Sequence, residues 1–283
     1  MAIIFITGTS TGIGFATAVT LAQKGNKVYA SMRSPQKSPE LQNLAEKEKL
    51  PIHIITMDVN DEASVKSGIG SVLQKEGLID VLINNAGVAQ AGAVEELPIH
   101  FFEEEMQTNY FGTIKCIQAV LPSMRERKSG CIINNTSVLG RTYMQFQSGY
   151  CATKAAFEAF SESLAQEVQP YNIRIAIVEP GVIATPIFSK GESASSTNYP
   201  RVKRVGAFYG ASLKRKTPPE VVAEVINDII TGKSKKFRNL AGPDALPIIS
   251  YRNSLTDEEW INSVNVDDET WVRNLTEISL NVK

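Results

Sequence analysis

The sequence predicts an α/β fold: a doubly wound parallel sheet in a single domain, with a lid and a C-terminal extension. Three observations carry that expectation. Short apolar runs alternate with longer amphipathic segments over the first two-thirds of the 283 residues. The runs are apolar at nearly every position, as strands covered on both faces are. No stretch rich in Pro, Gly and Ser divides the chain near its middle, so the alternation belongs to one domain.

In chain order, the apolar runs place strands at 2–6, 27–31, 52–57, 81–83, 131–135 and 173–178. Helical patterns fall between them at 12–24, 40–48, 62–75, 101–127 and 149–169. Right-handed crossovers then wind the chain in both directions from the first strand. Thr217-Pro218-Pro219-Glu220 reads as a helix start, since proline suits the first turn and an acid suits the N-terminus. A seventh strand is expected at 236–240. The domain is read as 1–250, with a polar, small-residue-rich lid at about 189–216 that shows no clear period. Residues 251–283, which hold Trp260 and Trp271, are read as an extension packed on the same domain.

Composition excludes several classes. The formal net charge is −1, so nothing global attracts nucleic acid. Cys116, Cys131 and Cys151 have no CxxC spacing, and His53 and His100 have no ligand neighbours, so neither a redox pair nor a metal site is expected. The apolar N-terminus reaches only about a third of a bilayer span and has no basic segment before it, so no membrane span and a cytoplasmic location are expected.

The first expected strand runs into Thr7-Gly8-Thr9-Ser10-Thr11-Gly12-Ile13-Gly14 and then a helix. Glycines there allow a tight turn, bring backbone N–H groups close to a pyrophosphate, and let helix and strand pack closely. The spacing is G-x-x-x-G-x-G rather than G-x-G-x-x-G, so the loop alone also suits other strand–helix turns. After the second strand comes Tyr29-Ala30-Ser31-Met32-Arg33, without the acid that would hold a ribose 2′-hydroxyl. Arg33 can pair with a 2′-phosphate, and Ser10 and Ser31 are candidate donors to it. NADP(H) is therefore favoured over NAD(H), with an ordinary solvated arginine as the alternative.

Tyr150 and Lys154 are four apart on a helical pattern and so share a face. A cation beside a phenol favours phenolate and moves its pKa toward the range useful for proton transfer. Ser137 closes the strand before them, within reach of the same crevice, and Asn109 lies upstream in a long helix.

Together these residues resemble the short-chain dehydrogenase/reductase superfamily in its core form. Six features in order carry the resemblance: Gly8, Gly12 and Gly14 after Thr7; Asp58-Val59; Asn84-Asn85-Ala86-Gly87; Asn109; Ser137 with Tyr150 and Lys154; and Pro180-Gly181 with Thr185. The segment 28–33 is similar to NADP-preferring members related to 17β-hydroxysteroid and retinol dehydrogenases. The resemblance implies a Rossmann-type fold and hydride transfer between a nicotinamide cofactor and a carbonyl or alcohol. It implies that Tyr150 exchanges the substrate proton and that Ser137 hydrogen-bonds the reacting oxygen. Lys154 would hold the nicotinamide ribose and lower the Tyr150 pKa, and Asn109 would order a water linking Lys154 to solvent. Gly8, Ser10, Thr11, Gly12, Ile13 and Gly14 would cradle the pyrophosphate. Asp58 and Val59 would meet adenine, and Asn85, Ala86 and Gly87 the adenosine ribose. Pro180, Gly181, Ile183 and Thr185 would hold the nicotinamide, so that hydride leaves its pro-S side. A homodimer or homotetramer through the helices from Phe101 and Gly149 is also implied.

For the substrate, Tyr143, Phe146, residues 88–93 and the segment 188–208 are expected to line an apolar pocket suited to a lipophilic ketone or secondary alcohol. From 193 to 217 there are six basic residues (Arg201, Lys203, Arg204, Lys214, Arg215, Lys216) and no acid. They suggest either recruitment of an anionic CoA or acyl-carrier thioester, for a 3-oxoacyl reductase, or charge balance with the acids at 257–259 and 267–269. A non-catalytic cofactor-binding regulatory protein is the remaining alternative. Such proteins commonly lose the serine, tyrosine or lysine, and all three are present here.

Overall fold

The computed structural model describes residues 1–187, 198–214 and 216–280, with residues 279 and 280 as backbone only. Seven strands form one parallel sheet: β1 (Ile3–Thr7), β2 (Lys27–Met32), β3 (Ile52–Thr56), β4 (Val81–Asn84), β5 (Gly130–Asn135), β6 (Ile173–Pro180) and β7 (Arg238–Ala241). Their order is β3-β2-β1-β4-β5-β6-β7, so the winding reverses between β1 and β4. Loops leaving the carboxyl ends of those two strands diverge and open a crevice.

The apolar runs are buried on both sides because successive residues face opposite layers. Ile4 and Ile6 of β1 join a core with Ala18 and Leu21 of α1 (Gly12–Gln23), Leu41 of α2 (Glu40–Glu48) and Val222. Phe5 points the other way, toward Val65 and Ile69 of α3 (Glu62–Glu76) and a cluster that includes Ile117 and Leu164.

The helix expected at 101–127 is instead α4 (Ile99–Met106), a π-helical turn (Gln107–Phe111) and α5 (Gly112–Glu126). Pro98 as N-cap starts it earlier, and the wide turn accommodates an extra residue at Asn109. The next helix, α6 (Ser148–Val168), carries Tyr150 and Lys154 on its first two turns.

Residues 203–213, read from sequence as part of an irregular lid, form α7 (Lys203–Leu213). Val205, Phe208, Tyr209 and Ser212 are buried at helical spacing, a period masked by the polar and small residues between them. Of the expected lid, residues 189–197 and 215 lie outside the described residues. The helix announced by Pro218-Pro219 is α8 (Glu220–Ile230). β7 lies slightly later than the expected 236–240, because Asn239 donates to the Ile177 and Lys236 carbonyls and sets the turn before the strand. Residue 250 falls within α9 (Ala245–Asn253), which is followed by α10 (Asp257–Asn262) and α11 (Asp268–Leu280). No helix among the described residues is long and apolar enough to cross a membrane.

The buried Arg204 ties α7 to the C-terminal helices. Its guanidinium pairs with Asp268 at 2.7 Å and donates to the carbonyls of Val264 and Val266. Lys203 pairs with the same carboxylate at 2.8 Å, so two of the six basic residues serve the acidic extension.

Candidate active site

The glycine loop is shaped by two positions that need a left-handed backbone, Gly8 at φ 70° and Gly12 at φ 61°. A Cβ on Gly8 would fall 2.6 Å from the Ala86 Cα. Gly8, Ser10, Thr11, Gly12 and Ile13 line a cleft of about 400 Å³ at the carboxyl ends of the strands. Gly14 does not line it. A Cβ there would lie 2.3 Å from the Gly8 carbonyl oxygen and 2.4 Å from Asn85 Nδ2, so Gly14 serves close packing of the loop. The first turn of α1 carries no acid, leaving its positive pole to the cleft.

Arg33 is exposed at the cleft wall and forms no ion pair among the described residues. Met32 lines the wall beside it. Ser31, proposed from sequence as a phosphate donor, is buried and does not reach the cleft, because strand alternation turns its side chain to the face opposite Met32. Asp58 and Val59 line the next stretch, where the Asp58 carboxylate accepts the Asn60 N–H at 2.9 Å. Asn60 and Thr108 complete this end and hydrogen-bond each other at 3.1 Å. Neither carried a sequence signal, since no local motif joins them.

Asn85, Ala86 and Gly87 line the middle of the cleft. Asn85 Nδ2 donates to the Thr7 and Gly8 carbonyls, each at 3.0 Å, while Thr7 Oγ1 accepts the N–H groups of Asn85 and Ala86. Asn85 is thus a brace between the loops after β1 and β4. Pro180, Gly181, Ile183 and Thr185 line the far side. The buried Asp244, which the sequence reading did not single out, accepts the Val182 N–H at 2.8 Å and fills the space a Gly181 side chain would need.

Ser137, Tyr150 and Lys154 meet at the floor of the cleft. Tyr150 and Ser137 share a side-chain hydrogen bond. Lys154 Nζ lies 5.5 Å from the Tyr150 ring centroid and donates to the Asn135 carbonyl at 3.0 Å. Burial holds the Tyr150 phenol well above its ordinary range, and the Ser137 hydroxyl only partly draws it back. Burial also lowers the Lys154 ammonium to about 8, against the opposing pull of Glu158. Burial is thus the largest influence on both groups.

Asn109 is brought near but does not line the cleft. Its side chain accepts the Val88 N–H at 2.8 Å and donates to the Val88 carbonyl and to Thr153 Oγ1. The amide is thus engaged in holding the wall to α6.

Val88, Ala89 and Gln90 line the substrate end, but residues 91–93 do not. Tyr143 and Phe146 are also displaced from their expected places by Thr142 and Met144. Phe146 sits at φ 61°, and its ring packs beside Val205, Phe208, Tyr209 and Trp271. The outer wall comes from Phe208 and Tyr209 of α7, Ile248 of α9, Trp260 of α10 and Leu275 of α11. Trp260 Nε1 donates to the Tyr143 carbonyl, joining the extension to the cleft rim. Tyr209 donates to Gln147 Oε1 at 2.9 Å, just before α6.

A dinucleotide fits this cradle: side chains at Gly8 and Gly12 would intrude on Ala86 and Thr185, an acid-free helix terminus faces the cleft, and an exposed cation stands at its wall.

Known proteins share this sequence pattern and fold. The family described as "short chain dehydrogenase" matches residues 2–195. Oxidoreductase BOA17 of Botryotinia fuckeliana is 35% identical over 264 residues, covering 90% of this chain and 95% of that protein. A 3-ketodihydrosphingosine reductase of Bacteroides thetaiotaomicron is 33% identical over 248 residues, covering 85% of this chain and 88% of that one. The crystal structure of a short-chain dehydrogenase from Streptomyces avermitilis superposes with a TM-score of 0.78 at 32% identity, over 94% of this chain and all of that one.

Proposed function

Since the chain belongs to the short-chain dehydrogenase family and is an NAD(P)-dependent oxidoreductase, we propose that it reduces a lipophilic ketone with NADPH, or runs the reverse alcohol oxidation. The observation that carries this reading is the meeting of Ser137, Tyr150 and Lys154 at the inner end of a glycine-lined cleft with apolar outer walls.

The nicotinamide, when bound, supplies or accepts the hydride; the protein supplies the rest. Tyr150 gives its phenolic proton to the carbonyl oxygen. Burial keeps the phenol protonated at neutral pH, the form that reduction requires. Ser137 donates to the same oxygen as charge builds on it. Lys154 would bind the ribose hydroxyls, a role supported by the Asn135 carbonyl that holds its ammonium. Asn109 braces Thr153, its neighbour on α6. Arg33 is assigned to the 2′-phosphate, which is the basis for NADPH ahead of NADH.

The walls formed by Met144, Phe208, Ile248 and Trp260 favour an apolar substrate. A relative named for 3-ketodihydrosphingosine supports a long-chain ketone in particular. The 3-oxoacyl thioester reading is weaker, because Lys203 and Arg204 are committed to Asp268. A cytoplasmic homodimer or homotetramer completes the proposal.

The test is oxidation of NADPH and NADH against neutral long-chain ketones and 3-oxoacyl-CoA. Tyr150→Phe is expected to lower kcat by about 10²–10⁴-fold while leaving NADPH binding nearly unchanged. Retention of most activity by that variant would remove the assigned mechanism.

A further inference from the structure

One buried acid near the reacting groups has no part in this mechanism. Glu105, on α4, is 2% exposed. Its Oε1 accepts the Gln90 N–H at 2.7 Å, and Gln90 lines the substrate end of the cleft. Its Oε2 lies 2.2 Å from where a Gly149 Cβ would stand, so at this closeness only glycine fits against the carboxylate. Gly149 immediately precedes Tyr150, in the first turn of a helix of 21 residues. A single carboxylate therefore touches both the wall that meets substrate and the helix start that presents the phenol.

We propose that Glu105 is a positioning residue that couples the Val88–Gln90 wall to the first turn of α6, and so sets the Tyr150 phenol against the substrate. This rests on the reading of Tyr150 as the proton donor. An anion at a helix N-terminus is favourably placed for the helix dipole. The groups facing it are the Gln90 amide from the wall, Glu104 on its own helix, and Tyr150 and Cys151 on α6. Burial raises the Glu105 carboxyl to about 7, and Glu104 adds to the rise. Its negative form in turn opposes phenolate on Tyr150. As pH rises through about 7, ionisation of Glu105 makes the Tyr150 proton harder to give up, and reduction slows.

Glu105→Gln keeps the shape and an acceptor for Gln90 but removes the charge. The wild-type kcat for ketone reduction should fall across about pH 7, and Glu105→Gln should lose that inflection while keeping the substrate KM. Glu105→Ala, lacking the acceptor, should raise the ketone KM with little change in the NADPH KM. If wild type and Glu105→Gln give superposable pH profiles, the proposal is overturned. A second measurement needs no turnover: hydrogen exchange at the Gln90 amide in the cofactor-bound protein. That amide should exchange about tenfold faster or more in Glu105→Ala and be restored toward wild type in Glu105→Gln. An unchanged rate in Glu105→Ala overturns the coupling even if no ketone is turned over. A changed rate with a wild type inert to every ketone supports the coupling, and only the function reading fails.

Discussion

Arg33 stands exposed at the wall of the cleft with no ion pair among the described residues, so a phosphate would meet it without displacing a carboxylate. Arg33→Ala is expected to raise the KM for NADPH by about 10–100-fold, the worth of a lost charge-assisted hydrogen bond or two, and to leave that for NADH nearly unchanged. Equal effects on both cofactors, in parallel initial-rate measurements, would refute the assignment. Glu105 makes a separate prediction for stability. Its folded carboxyl titrates near 7 against an ordinary 4.5, so between those values the folded state holds the extra proton. Stability from this group is full below about 4.5 and is lost as pH rises through about 7. Thermal melts of wild type and Glu105→Gln should therefore separate as pH rises through that window, with wild type losing ground. Parallel curves would show that the group does not titrate there.

At the scale of elements, the glycine loop and α1 are held partly by residues that do not themselves line the cleft. Gly14 is the clearest instance. In Gly14→Ala the new methyl meets the Gly8 carbonyl and the Asn85 amide, both backed by backbone that cannot retreat cheaply. NADPH binding should weaken, by calorimetry, although residue 14 lines nothing; an unchanged Kd would show that the loop yields freely. The same scale separates what a local pattern reveals from what it hides. Tyr150 and Lys154 share a helix face by spacing, but they are legible only with Ser137, Asn109 and the loop glycines in order around them. Met144 was not distinguishable from Phe146, because the positive φ at Phe146 turns its ring out of the cleft. Asn60 and Thr108 pair across 48 positions, and no periodicity reports such a contact.

For the whole molecule, the substrate wall depends on how the C-terminal helices close on α7. Arg204 is the bolt of that closure, with its charge on Asp268 and its remaining donors on two carbonyls. Arg204→Leu leaves the Val264 and Val266 carbonyls without their donor, at a cost of about 1–3 kcal/mol, while Asp268 keeps Lys203. Melting temperature should fall, and the ketone KM should rise through Phe208, Tyr209 and Leu275, while the NADPH KM stays near wild type. A variant that melts lower with both KM values unchanged would mean that the extension supports the fold without shaping the pocket.

By itself the sequence determined the parallel sheet and the family, because apolar runs and the ordered glycine, asparagine, serine, tyrosine and lysine motifs are written along the chain. Tertiary structure alone decided what surrounds them. Burial raises the Tyr150 phenol, and desolvation depends on everything packed around it. The outer wall came from α7 and the C-terminal helices, and the basic segment proved in part to be the counter-charge of the acidic one. Such facts are sums over residues far apart in the chain, and they exist only once it has folded.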